Sequence, residues 1–157
     1  MLFDDEQVEA LCVASASLTR RLLRDGAAVG LLVGTQLAGG GRWAYLPPST
    51  SPGQLGRAED LLARVQPIVS LPFDRLLAAV PRRLAPGGTV LVLSARDPTP
   101  FREPMRRLAR SGYAVSHLAF GDEREAHRRS AVAAGILARS AELTPGWREA
   151  DALVLGG

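Results

Sequence analysis

The residues of this chain whose types suit catalysis lie mainly beside two apolar stretches in its second half. Ser94 ends the predicted strand Thr89–Ser94, Asp97 comes shortly after it, and His117 falls within a second predicted strand, residues 113–120. Since α/β proteins bind ligands at the carboxyl ends of parallel strands, these side chains predict one candidate site, that of a Rossmann-like hydrolase or transferase. The competing interpretation is structural, because serine and aspartate near a proline are also typical of turns.

The other candidate nucleophile and metal ligands are isolated in the sequence. His117 and His127 have no carboxylate or thiol at the spacing of metal ligands. Cys12 lies in the middle of a predicted covered helix, whereas a nucleophilic thiol must be exposed and activated. We therefore predict no catalytic and no cofactor-binding residue, and Ser94 and Asp97 remain the only metal candidates.

Glycine and arginine clusters are binding features with simpler explanations. Gly39, Gly40 and Gly41 precede a short predicted edge strand and do not open a helix, which favours a hairpin loop over a phosphate-binding loop. The arginines at 82–83, 106–110 and 128–129 have acidic residues among them and few aromatic neighbours. This pattern favours solvated helix faces over a nucleic-acid surface, and no nucleic-acid partner is predicted.

Composition excludes several enzyme classes. All 19 basic residues are arginine, so the chain lacks the lysine of Walker A loops, of Schiff bases and of Ser-x-x-Lys enzymes. With 157 residues and 46% hydrophobic content, we predict one domain over residues 1–157. No apolar run reaches the roughly 20 residues that span a bilayer, and the N-terminus does not resemble a signal peptide, so we predict a cytoplasmic location.

Helical and strand patterns alternate along the chain. They predict, in order, a helix at 6–24, a strand at 27–33, a hairpin through Trp43 and Tyr45 that stops at Pro47, helices from 51 and 72, the strand Thr89–Ser94, a helix from 99, a strand at 113–120, a helix from 122 through about 139 and a strand at 152–155. This order predicts an α/β three-layer sandwich with a mostly parallel sheet and one antiparallel edge hairpin. Because such sheets normally begin on a strand, we expect the first strand to be missing.

The order of these segments resembles a known family. The chain resembles the C-terminal half of the domain-of-unknown-function 58 family, whose conserved region is similar to a von Willebrand factor A domain, over roughly residues 3–120. The segments that carry the resemblance are 13–18, 28–32, 46–48, 54–55, 61–65, 72–77 and 88–94. The resemblance implies a single von Willebrand A-like domain of which this chain is the C-terminal portion.

The resemblance also implies a metal site, from which this sequence departs. Von Willebrand A domains hold a divalent cation with Asp-x-Ser-x-Ser, a threonine and an aspartate. The Asp-x-Ser-x-Ser motif does not occur here, Ser70 and Leu71 stand where the threonine loop should fall, and Asp97 is displaced beside Arg96. We therefore expect no metal site in this chain, with Mg²⁺ binding only if the missing strand and its loop were present.

Partners follow from the resemblance. Proteins of the family are bacterial components, cytoplasmic or anchored to the inner membrane, that are thought to serve as assembly adaptors with MoxR-type AAA+ ATPases. We therefore predict a noncatalytic protein-interaction module, not an enzyme, that binds its partner through loops at the carboxyl edge of the sheet. Because the missing strand would leave an unpaired edge, we also expect either residues 152–155 to fill the gap or two chains to pair as a homodimer.

Overall fold

Contacts within the chain divide it into two units, Met1–Leu76 and Leu77–Gly157. The structure is a computed structural model and describes residues 4–143, 145–148 and 154–156. Both units combine helices with strands, and the second contains a parallel sheet. The predicted α/β class with a parallel sheet and an antiparallel hairpin is therefore confirmed. The extent of a single domain stays a prediction.

The first unit contains two antiparallel strand pairs. Its elements are α1 (Asp5–Arg24), β1 (Val29–Val33), β2 (Thr35–Leu37), β3 (Ala44–Ser49), α2 (Gln54–Leu62) and β4 (Val65–Val69), followed at the boundary by α3 (Phe73–Ala78). β1 pairs with β3, and β2, which lies in the loop of that hairpin, pairs with β4. The hairpin was predicted. The strand β4 was not, because Val65 continues the apolar spacing of α2.

Two expectations about β1 and β3 are wrong. The apolar run at 27–33 is typical of a strand covered on both faces of a parallel sheet, but β1 is half-buried throughout and, among the described strands, pairs with β3 alone, antiparallel. Pro47 and Pro48 lie inside β3 and do not end it. The register shifts between Val29 and Leu31, so Gly30 opposes both prolines in a β-bulge. A bulge is one of the few places where a strand accommodates residues without an N–H donor.

Gln54 ties α2 to both strands of this hairpin. Its side chain is 1% exposed, and its Nε2 donates hydrogen bonds to the carbonyl oxygens of Val29 at 2.7 Å and of Pro47 at 2.9 Å. Residues 51–54 predict a capping box at the start of this helix, which is wrong because the Gln54 side chain bonds the hairpin instead. The helix begins at Gln54 with Gly53 as its N-cap, and the amide donates to two carbonyls beside the bulge.

Replacing Gln54 by methionine is expected to lower the free energy of unfolding of the first unit by about 1–3 kcal/mol. Methionine has a similar length but cannot donate to either carbonyl, so both hydrogen bonds of this buried side chain are lost. Urea titration followed by circular dichroism measures the loss. The control is Arg57→Met, whose exposed guanidinium donates to Oε1 of Gln54 at 3.2 and 3.3 Å and to Oγ of Ser51, but to neither carbonyl. A control as destabilising as Gln54→Met would contradict this assignment.

The second unit is built on a four-stranded sheet. Its elements are β5 (Thr89–Ser94), α4 (Arg102–Arg110), β6 (Ala114–Ala119), α5 (Arg124–Ala133), β7 (Leu137–Glu142) and β8 (Val154–Gly156), with short 3-10 helices at Val80–Arg82 and Thr99–Phe101. The order is β5-β6-β7-β8, parallel except for β8. α4 packs on β6, and α5 on β6 and β7. Phe120 and Met105 are fully buried in this core.

The C-terminal part of the chain differs from the prediction. α5 ends at Ala133 and does not run to about Arg139, and residues Leu137–Glu142 form a parallel strand. The expected strand at 152–155 is present as Val154–Gly156, but it lies beside β7. It therefore does not fill a gap in the middle of the sheet. In the described part of the sheet, β5 is hydrogen-bonded to β6 alone and forms the opposite edge.

Three helices end in the same way. Gly26, Gly112 and Gly135 follow α1, α4 and α5, and their φ angles are +87°, +93° and +79°. In each case the glycine N–H and the N–H of the next residue donate to carbonyls of the last helical turn, at distances of 2.9–3.2 Å. This is the Schellman motif, which needs the left-handed conformation that glycine adopts without strain.

Candidate functional site

The sequence-predicted site residues of the second unit lie at or near the carboxyl ends of β5 and β6. Register places Val92 beside His117 and Ala138. Two residues further along each strand, it places Ser94 beside Ala119 and Ser140. All of these residues are buried, and we call their side of the sheet the inner face. Phe101, just before α4, contacts the His117 ring, and Arg102 of α4 donates to Ser130 of α5 at 3.2 Å. The two helices therefore cover the inner face together.

Ser94 and Asp97 are occupied by local hydrogen bonds. Ser94 is 6% exposed, and its Oγ accepts from the N–H of Arg96 at 3.0 Å. The exposed carboxylate of Asp97 accepts from the N–H and the hydroxyl of Thr99 at 2.9 and 2.8 Å, and these bonds lower the pKa of Asp97. Both residues therefore serve the turn after β5 and the start of the next helix, which is the structural interpretation of the sequence.

His117 is buried without a hydrogen-bond partner. It is 2% exposed, and neither ring nitrogen has a partner among the described residues. Its ring meets Phe101 edge-on, with centroids 6.0 Å apart. Burial, with a smaller contribution from His127, lowers the pKa of His117 to about 4. The imidazole is therefore neutral at pH 7 and is not hydrogen-bonded to Ser94 or Asp97, so the geometry gives the hydrolase alternative no nucleophile–base pair.

His127 lies on α5 and is also largely buried. It is 7% exposed, its Nδ1 has no hydrogen-bond partner among the described residues, and its Nε2 lies 3.5 Å from a carboxylate oxygen of the exposed Glu123. The two histidines thus form a buried pair between sheet and helix. Both side chains therefore belong to the core of the second unit.

A hydrogen-bonded cluster around the Glu125 carboxylate joins α5 to β7, and the sequence did not predict it. The hydroxyl of Ser140, which is 2% exposed, donates to Oε1 of Glu125, and Nε of Arg128 donates to Oε2 at 3.0 Å. These bonds lower the pKa of Glu125. A side chain at Gly156 would meet Ser140 Oγ at 2.8 Å. The cluster was missed because the helix from 122 was predicted to run through about 139 and no strand was predicted over 137–142. It is a structural clamp.

The Mg²⁺ site implied by the resemblance does not fit these residues. No group of three or more His, Cys, Asp or Glu side chains is placed to hold a metal ion in the described ranges. Ser94 and Asp97 direct their oxygens to backbone donors, as stated above. In the first unit, the hydroxyl of Ser70 donates to the carbonyl of Arg42 and, at 3.4 Å, to that of Gly34. The donor set for a hard divalent cation is therefore incomplete.

Strand order bears on whether the sheet offers a ligand crevice. In open α/β sheets the crevice opens where the strand order reverses. β5, β6 and β7 follow one another in sequence order across the sheet. Among the parallel strands that the structure describes there is thus no switch point, and the usual ligand crevice does not form between them.

Cys12 and the glycine loop also have structural roles. Cys12 is half-buried in α1, and burial, followed by the charge of Glu9, raises the pKa of its thiol to about 11. The thiol is therefore protonated at neutral pH and is a poor nucleophile. Gly39, Gly40 and Gly41 all have positive φ and connect β2 to β3. They form a hairpin loop, as predicted.

The arginine clusters contain ion pairs along single helices. On α4, Glu103 pairs with Arg106 at 3.6 Å and with Arg110 at 2.5 Å. On α5, Arg128 pairs with Glu125 at 3.0 Å. All of these are local pairs on solvated or partly solvated faces, where each contributes little stability.

The outer face of the sheet, opposite the helices, is apolar and exposed. Register places Leu91, Ser116 and Leu137 in one row across β5, β6 and β7, and we call this the outer row. Leu91 is 42% and Leu137 is 68% exposed. The next row on the same face holds the half-buried Leu93 and Leu118 and the exposed Arg139. Sequence reasoning could not find this surface without the strand β7.

Sequence comparisons place the chain in no family, since it matches no protein-family model and no curated protein. Within the described residues, no helix is both long enough and apolar enough to cross a membrane.

Proposed function

We propose that this chain is a noncatalytic protein-binding module. The observation that carries the proposal is the outer row, which exposes Leu91 and Leu137 on one face of a parallel sheet. Exposed apolar clusters on a sheet face are typical of contact sites for other proteins. The groups that could catalyse a reaction are meanwhile taken up by turns or by the core, as Ser94, Asp97 and His117 illustrate.

The first partner to test is a MoxR-type AAA+ ATPase, in line with the resemblance to the domain-of-unknown-function 58 family. We propose a contact on the sheet face and not at the loops that the resemblance suggested. The loops at the carboxyl edge are engaged in internal hydrogen bonds, whereas the outer row offers apolar area. We therefore place the contact on the sheet face and propose an adaptor role for the chain.

Leu137→Glu is expected to weaken binding to a purified MoxR-type ATPase at least tenfold, because it buries a charge in an apolar contact. Biolayer interferometry with the full chain measures the affinity. Val132→Glu is the matched control, since Val132 is 49% exposed on α5, the helix side of the sheet. Equal losses in both variants would remove the outer row from the contact. Absence of binding by the unaltered chain would remove the ATPase as partner.

A further inference from the structure

Among the described residues, the backbone groups of β5 that point away from β6 have no strand partner and form a regular array. The N–H of Ala114 donates to the carbonyl of Gly88 and that of Phe120 to the carbonyl of Ser94, both at 3.0 Å. Residues at even positions of β5 therefore point their backbone groups toward β6. Because the direction alternates along a strand, Thr89, Leu91 and Leu93 point their N–H and C=O groups away from β6.

This edge lacks the features that normally prevent strands from pairing with other chains. β5 has six residues, no proline and no charge, and its register with β6 is uninterrupted. By contrast, β3 and β4 contain prolines, the pairings of β1 and β2 are irregular, and β8 has three residues. Long, regular, uncharged edges are the ones that recruit a further strand.

We propose that β5 pairs antiparallel with β5 of a second copy of this chain, about a twofold axis through Leu91. In this register Leu91 faces Leu91 of the other copy, and Thr89 faces Leu93 in both directions. Each of these is a hydrogen-bonded pair in the antiparallel pattern. A single register thus satisfies every outward N–H and C=O group of both strands.

The occupant is a second copy because the edge is complementary to itself. A twofold interface needs a surface that matches its own image. Here the pairs are Leu with Leu, Thr with Leu and, on the inner face, Val90 with Val92, so no like charges oppose each other. The outer faces of the two sheets would also join into one apolar surface. This inference is independent of the proposed partner, since it concerns the chain alone.

The expected dimer is in equilibrium with the monomer. One pair of six-residue strands buries less than the roughly 1,200–2,000 Å² of a standard interface. We therefore expect dissociation constants on the order of micromolar, and a dimer fraction that rises with concentration.

Sedimentation velocity of the full chain, without any ATPase, over about 1–200 μM tests the proposal. The unaltered chain should shift from monomer toward dimer. Leu91→Lys should weaken the dimer at least tenfold, because the axis places two ammonium groups opposite each other, whereas Leu137→Lys on the same face should not. Monomer at all concentrations, or equal dimerisation of both variants, would overturn the proposal.

Cross-linking provides a second measurement that does not depend on destabilising the dimer. Leu91→Cys should form an intermolecular disulfide under mild oxidation, because hydrogen-bonded antiparallel partners have Cα atoms about 5.5 Å apart. Leu137→Cys should not, and neither should the unaltered chain, whose only thiol is the half-buried Cys12. A dimer that cross-links equally at both positions, or not at residue 91, rejects the register and with it the proposal.

Discussion

Lowering the pH from 7 to 4 is expected to cost the second unit about 3 kcal/mol of unfolding free energy through His117 alone. The ordinary pKa of 6.5 applies to the unfolded chain, and burial lowers the pKa of His117 in the folded chain to about 4. The folded state therefore excludes a proton that the unfolded state accepts. Neither ring nitrogen has a protein partner among the described residues that could stabilise the charged form.

The sign of the effect fixes the pH window. Above pH 6.5 both states are neutral at His117, and the contribution to stability is fully present. Between pH 6.5 and 4 only the unfolded state is protonated, so stability falls, and below pH 4 this contribution stays constant. About 2.5 kcal/mol of the loss is complete at pH 4.5. The pKa values of Asp97 and Glu125 lie below their ordinary ones of 3.8 and 4.5, so their contributions to stability are present above those ordinary values and are lost as the pH falls below them.

His117→Leu is expected to abolish most of the loss between pH 7 and 4.5. Urea unfolding followed by Trp147 fluorescence in a Trp43→Phe background measures it, because Trp147 is a buried residue of the second unit and the chain has two tryptophans. Tyr113→Phe is the control, since it removes a buried hydrogen bond to Leu84 at 2.7 Å and should cost about 1 kcal/mol at every pH. An unchanged pH dependence in His117→Leu would contradict the assignment.

Gly30→Ala is expected to destabilise the first unit by about 3 kcal/mol, at the upper end of overpacking effects. A Cβ at residue 30 would lie 2.5 Å from the carbonyl oxygen of Leu46 and 2.8 Å from the nitrogen of Pro48. Both are backbone atoms of β3, so no side-chain rotation relieves the clash. The bulge must open, and the hydrogen bonds between β1 and β3 weaken with it.

Hydrogen exchange measured by mass spectrometry tests this prediction within one molecule. Peptides from β1 and β3 should lose protection in Gly30→Ala, whereas peptides from β5 and β6 act as an internal reference. Gly56→Ala is the matched control, because Gly56 lies inside α2 and its Cβ would meet no atom within 4 Å. Alanine is the better helix former there, so this variant should be as stable as the parent or more stable. Retained protection in Gly30→Ala would refute the role of the bulge.

The elements that the sequence predicted well are those with strong local signals. α1 follows from its apolar spacing and from Gly26, and β5 and β6 follow from apolar runs. β7 was missed because Arg139 and Glu142 give it the polarity of a helix surface, although Gly135 already marks the end of α5. β4 was missed because Val65, its first residue, also continues the helical apolar spacing of α2.

The candidate site was predictable only in part. The turn roles of Ser94 and Asp97 follow from the proline that comes next, because that chemistry is local. The burial of His117 depends on which face of β6 the helices cover, and a strand pattern alone does not contain that information. The clamp between Glu125 and Ser140 and the outer row both require β7 in register. Neither could be deduced, because the helix from 122 was predicted to run through about 139 and no strand was predicted there.

Every described non-glycine residue has negative φ. The Schellman turns after α1, α4 and α5 therefore depend wholly on Gly26, Gly112 and Gly135. Asparagine is the other residue that commonly occupies that position, and the chain contains none. Because the chain has no asparagine, glycine alone ends these three helices. Any other residue at these positions meets backbone strain, even though the space around each glycine is empty.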